Sequence, residues 1–198
     1  MASRRTTERG LYKFDPVIVG HRECEAWAAY YRREWVRFLF HTFGMVQSAF
    51  GMRRSWTVRG AWYVLRANQA WAPVANDPAA ARDFMRRFYE LVVRSGQLRF
   101  AAARAAELEV AWWGVHRTHQ HSEGTSNAVL VDSLNQLYAY VYQSPPDDTR
   151  AAAEIRVDAM DLSDRWVAAG AVRGDPLLVL ERRALVDSYT ELRRFIDS

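Results

Sequence analysis

Residues 16–50 read PVIVGHRECEAWAAYYRREWVRFLFHTFGMVQSAF. Within this stretch Cys24, Trp27, Ala28, Tyr31, Trp35, Phe38, Leu39, Thr42, Val46 and Ala49 recur at steps of three and four. That spacing puts them on one face of an α-helix. It predicts one long first helix over 16–50, bent near Gly44, where glycine lowers helix propensity. Such a helix would span about 50 Å at 1.5 Å per residue. It must therefore kink inside a bundle or project to meet a partner.

The residue pair that opens this stretch recurs along the chain. Asp15-Pro16, Asp77-Pro78 and Asp175-Pro176 each set a capping carboxylate before a proline. Aspartate accepts from an otherwise unpaired N–H at a helix start, and proline at the first helical position gives up a bond that would be missing anyway. Pro145-Pro146-Asp147-Asp148 makes a fourth start. Further helices are expected over 56–71, 78–94, 97–119, 127–142, 146–169 and 176 to the end. Pro73 stops the second, and Ser95-Gly96 closes the third. Residues 122–127 read as a loop. No segment alternates with period two for long enough to make a sheet. The chain is expected to be all-α: a single-domain helical bundle of about seven helices, over 14–198, behind a basic, flexible tail over 1–13.

Composition narrows the class. The chain has 198 residues, 49% hydrophobic and 13% aromatic, too apolar for disorder. Its one cysteine, Cys24, excludes an internal disulfide framework and a cysteine-rich zinc site. The N-terminus lacks the apolar core of a secretory signal. Arg37, His41 and Gln47 interrupt the most apolar run, which rules it out as a spanning segment. A soluble, cytoplasmic protein is the expectation. Contact of the aromatic, basic stretch 17–51 with a membrane surface stays open.

Charge is uneven. Arginine supplies 26 of the 27 basic residues, Lys13 being the exception. Residues 1–104 carry 18 basic against 8 acidic residues, a charge of +10, and residues 105–198 carry 9 against 15, a charge of −6. Arginine's fork suits carboxylates, so much of it is expected to face the acidic second half. The alternative is a basic face over the first helices that binds an anion or nucleic acid.

The candidate chemistry sits in 107–121. His116 and His119 are three apart and can face one way toward a shared metal. Glu109, two turns back, and Glu25 and His21 on the first helix would complete a set contributed by neighbouring helices. A transition metal, iron or zinc, is the cofactor such a set implies. Helical di-iron proteins use Glu-x-x-His, which the chain lacks. The bland alternative is a histidine-rich helix C-terminus. A small-molecule pocket against Trp112 and Trp113 is a further option. Cys24 falls on the core stripe. In the sixth expected helix Glu154, Asp158, Asp161 and Arg165 line one face opposite Ile155, Ala159, Leu162, Trp166 and Ala169. No phosphate loop or nucleophile elbow appears. The leading expectation is a non-enzymatic binding or self-association module, with a homo-oligomer or protein partner. A metal-binding helical protein, acting as an oxidoreductase if it is an enzyme, comes second. An arginine-rich anion or nucleic-acid binder comes third.

Overall fold

A computed structural model of the protein describes residues 11, 13–121 and 126–197. Among the described residues there are eight α-helices and no strand: α1 Pro16–Tyr31, α2 Trp35–Phe50, α3 Arg54–Trp71, α4 Pro78–Gly96, α5 Ala102–His121, α6 Asn127–Tyr142, α7 Pro146–Ala168 and α8 Pro176–Asp197. The expected tail over 1–13 and loop over 122–127 lie largely outside these residues.

All three Asp-Pro starts are helix caps. Asp15 accepts from the Val17 and Ile18 amides, Asp77 from Ala80 and Asp175 from Leu177, at 2.8–3.2 Å. Each cap pairs at least one amide that the start of a helix would otherwise leave open.

The long first helix is corrected to two. The break falls at 32–34, not at Gly44, and Arg33 takes a left-handed φ of 60° there. A non-glycine residue in that region costs about 1–2 kcal/mol. Contacts distant in sequence hold it in place. Glu34 Oε1 accepts from Arg32 Nε at 2.7 Å and from Arg173 Nη2 at 2.6 Å. Arg32 also bonds the Ala171 carbonyl, and Arg33 Nη2 reaches the Ala72 carbonyl at 2.9 Å. The two arginines hold the Glu34 carboxyl down at about 2. Gly44 lies inside α2, where Arg22 packs against it.

Each helix packs mainly against the next in sequence, and α8 closes back onto α1. The result is a closed ring. Gly20 makes the closure: a Cβ there would stand 2.8 Å from the Val186 backbone nitrogen. A regular ring of eight helices about 9 Å apart has its centre about 12 Å from every axis. Only large side chains reach so far, which gives the abundant aromatics their place. Trp27, Trp112, Tyr89, Tyr138 and Phe88 all point inward.

The arginines do not face the acidic half. Among the described residues the first-half arginines that form ion pairs, Arg32, Arg37, Arg86 and Arg87, do so within their own half, apart from the local Arg104–Glu107 pair. The traffic runs the other way. Arg156, Arg173 and Arg182 of the second half reach Glu23, Glu34 and Glu25 of the first. The arginines of α2 and α3 therefore gain no neutralisation from the acidic helices.

Candidate functional site: the central cavity

A cavity of about 240 Å³ lies at the centre of the ring, and all eight helices contribute to its wall. Leu11 and Phe14, just ahead of α1, also line it. Gln120 is the exposed residue of the lining and marks where the cavity approaches the surface, beside Trp71, Trp113 and Arg117. Arg117 lies over the Trp71 ring at 4.5 Å and bonds the Trp71 carbonyl at 2.6 Å.

At the buried end α1 and α7 place an ion pair. Arg156 grips Glu23 with both terminal nitrogens, the Nη1 contact being 2.9 Å. Glu23 also accepts from Tyr189 OH at 2.6 Å and Trp27 Nε1 at 3.2 Å. Arg156 Nη1 reaches Tyr189 OH at 3.2 Å and Tyr138 OH at 3.4 Å. Burial works against the guanidinium charge, but Glu23, Tyr138 and Tyr189 together outweigh it and keep the group protonated. Desolvation likewise raises the Tyr189 and Tyr138 hydroxyls, which stay neutral donors.

A second carboxylate, Glu109 of α5, has no such counter-ion. It accepts from Tyr89 OH at 2.6 Å, Trp113 Nε1 at 3.1 Å and Trp112 Nε1 at 3.2 Å. These three donors are neutral. Burial raises its carboxyl in spite of them and of nearby Arg156. Glu109 is deep within the protein yet keeps accessible surface, because that surface faces the cavity.

The residues expected to hold a metal are distributed as follows. His116 Nε2 is 3.0 Å from Asp164 Oδ2, and His119 Nε2 is 3.7 Å from Asp161 Oδ1, so each histidine meets its own carboxylate on α7. Glu25 is taken by Arg182 at 2.8 Å and Arg37 at 3.1 Å, with His41 at 4.0 Å. His21 is exposed. Glu109 belongs to the cavity wall. Among the described residues no three His, Cys, Asp or Glu side chains converge to hold one ion. Cys24 is buried and donates to the Leu178 carbonyl at 3.5 Å. Burial and the nearby Glu181 push its thiol far up, so it stays protonated.

Arg156 is the residue the sequence reading passed over. Its signal was available: Ala152, Arg156, Ala159 and Ser163 recur at helical steps and are all buried. On that stripe the arginine requires a partner. The expected stripe through Ile155, Leu162 and Ala169 is only partly right, since Ala169 is exposed while Ala159 and Trp166 are buried.

The arrangement suits holding a guest. Its walls are aromatic and aliphatic, and its polar groups are few and oriented. In comparison with known proteins, the chain matches no family model, no curated protein and no solved structure.

Proposed function

We propose that the protein is a non-enzymatic binding module whose ring encloses a small ligand with an aromatic or aliphatic body and a positively charged group. The observation that carries this reading is Glu109, a carboxylate without a counter-ion that faces an aromatic cavity. Most of the wall is aromatic or aliphatic, so a ligand with an apolar body would bury that surface away from water. The wall carries two carboxylates and two guanidiniums, and Glu23 and Arg156 are paired with each other. Arg117 is held by the Trp71 and Pro73 carbonyls, so Glu109 is the acidic group left to meet a positively charged ligand group. Aromatic faces such as Trp27 and Trp112, stacked at 6.2 Å, add attraction for a cation. An anion would satisfy the unpartnered Arg156 Nε but would face two carboxylates.

Calorimetric titration with phenethylamine, 3-phenylpropanol and 3-phenylpropionate tests the proposal. The expected order is amine, then alcohol, then acid. Glu109→Gln should weaken the amine about tenfold and leave the alcohol nearly unchanged, while Ala26→Leu, which fills the cavity wall, should weaken all three. Failure of every probe to bind would overturn the cavity reading. Equal binding of amine and alcohol would remove the charge preference alone.

A second reading, a metal held between α5 and α7, draws support from the two histidine–aspartate pairs. Elemental analysis of purified protein, with melting in added Zn²⁺ or Fe²⁺, decides it: bound metal should raise the melting temperature.

A further inference from the structure

A different face of the ring carries its own chemistry. Residues 35–76, which span α2 and α3, contain five arginines and no Asp or Glu. Along α3 Arg54, Val58, Trp62 and Arg66 stand four apart on one exposed stripe, with Arg59 beside it. Val36 and Phe40 of α2 are 87% and 63% exposed, and Val58 and Trp62 of α3 are 57% and 48% exposed. Between the two helices runs an apolar groove of about 390 Å³, floored by Leu39, Phe43 and Ala61. Among the described residues Arg53, Arg54, Arg59 and Arg66 make no ion pair, and neither α2 nor α3 carries a carboxylate that could supply one. Arg66 lies over the Trp62 ring at 5.9 Å, which pairs a cation with an amphipathic ring at the rim of the groove.

We infer that this α2–α3 face docks on an anionic phospholipid surface, with Phe40, Val58 and Trp62 entering the headgroup boundary and Arg54, Arg59 and Arg66 meeting lipid phosphates. Apolar and aromatic residues flanked by arginine are what an interfacial helix presents to a bilayer. The charge decides between occupants. A second copy docked by twofold symmetry would set unpaired arginines against the same arginines, with no carboxylate on either face to relieve them. A nucleic acid would leave Val36, Val58 and the aliphatic floor of the groove unused, since bases stack on rings and not on valine. No described helix is long and apolar enough to cross a membrane, so the contact lies on the surface.

Co-sedimentation of the whole protein with phosphatidylglycerol vesicles, against phosphatidylcholine vesicles, tests this inference. The protein should pellet with the anionic vesicles, far less with the neutral ones, and be released by salt. At about 1 kcal/mol for each basic residue near the surface, Arg59→Gln with Arg66→Gln should lower partitioning roughly thirtyfold. Phe40→Ser with Trp62→Ser should weaken it while leaving the salt dependence in place. The residues changed are exposed, and unchanged thermal melts of the variants show that any loss is one of binding. Absence of pelleting on phosphatidylglycerol would overturn the inference, as would pelleting that both double variants retain. So would light scattering that shows a dimer abolished by Phe40→Ser with Trp62→Ser, or tighter binding to single-stranded DNA than to the vesicles. Cavity ligands play no part in these measurements, so the result stands apart from the titrations above.

Discussion

Arg156 of α7 and Glu23 of α1, 133 residues apart in sequence, face each other inside the ring, and every oxygen of the carboxylate has donors. Both side chains are buried. Removing one partner strands the other charge in protein, which costs about 3–5 kcal/mol. Arg156→Met and Glu23→Leu should each destabilise the fold by that order. The double variant should cost well below the sum, because no charge is left behind. Denaturant melts arranged as a double-mutant cycle measure the coupling, and strictly additive losses would contradict the pairing.

Glu181 of α8 offers a pH test. Burial pushes its carboxyl up to about 8, with Glu23 and Asp164 adding to the rise and Arg156 and Arg182 opposing it. One of its oxygens, Oε2, has no partner. The folded state therefore holds a proton that the unfolded chain releases near 4.5. Stability should fall as pH rises from about 4.5 toward 8, at no more than about 1.4 kcal/mol per pH unit from this group, and then level off. Glu109 contributes with the same sign. Glu181→Gln should flatten the profile and leave the variant more stable than the parent at pH 9. Melting temperatures across this range check the sign.

Gly20 fixes the approach of α1 to α8. Gly20→Ala would press a methyl against backbone, which cannot swing aside as a side chain can. A loss of about 1–3 kcal/mol is expected, as for overpacking elsewhere. Gly114→Ala, where the added carbon would meet nothing nearer than Trp71 at 3.9 Å, serves as the control in the same melts. It should be neutral or slightly stabilising.

Besides Arg33, two exposed residues hold left-handed helix ends without being glycine. Gln97 closes α4 with φ 52° and Gln143 closes α6 with φ 53°. Gln97→Gly and Gln143→Gly should each stabilise by about 0.5–1 kcal/mol, since glycine adopts that conformation without penalty and neither glutamine side chain is buried. Thermal melts of the single and double variants check the gain, which should be additive at this separation.

The sequence announces helices well and their closure poorly. The Asp-Pro pairs and Pro146 locate four helix starts, because capping is local chemistry written in adjacent residues. The end of α6 at Tyr142 is equally legible from its apolar spacing. The break at 32–34 is not, since Tyr31-Arg32-Arg33-Glu34 contains no glycine or proline. It depends on Arg173 and the Ala171 carbonyl, about 140 residues away. The cavity divides in the same manner. Glu109 and the tryptophans beside it stand out in the sequence as a metal ligand and a pocket wall. Two of the donors to the carboxylate, Trp112 and Trp113, stand one turn along the same helix, while the third, Tyr89, becomes visible only when α4 is laid against α5. Glu23 lies beside the His21 and Glu25 singled out as ligands, and its partner is hidden in an alanine-rich helix.

The closure of α8 onto α1 also bears on the order of events during synthesis. A chain that emerges from its first residue onward makes seven helices before the eighth exists. Until α8 arrives, Glu23 lacks Tyr189, and the wall that Tyr189 and Leu192 complete stays open to water. Loop-closure entropy is greatest for this contact, so the step that joins α8 to α1 is expected to come late. Neither Arg156 nor Glu23 is sealed from solvent before then. The central cavity and the finished ring therefore arise in one step.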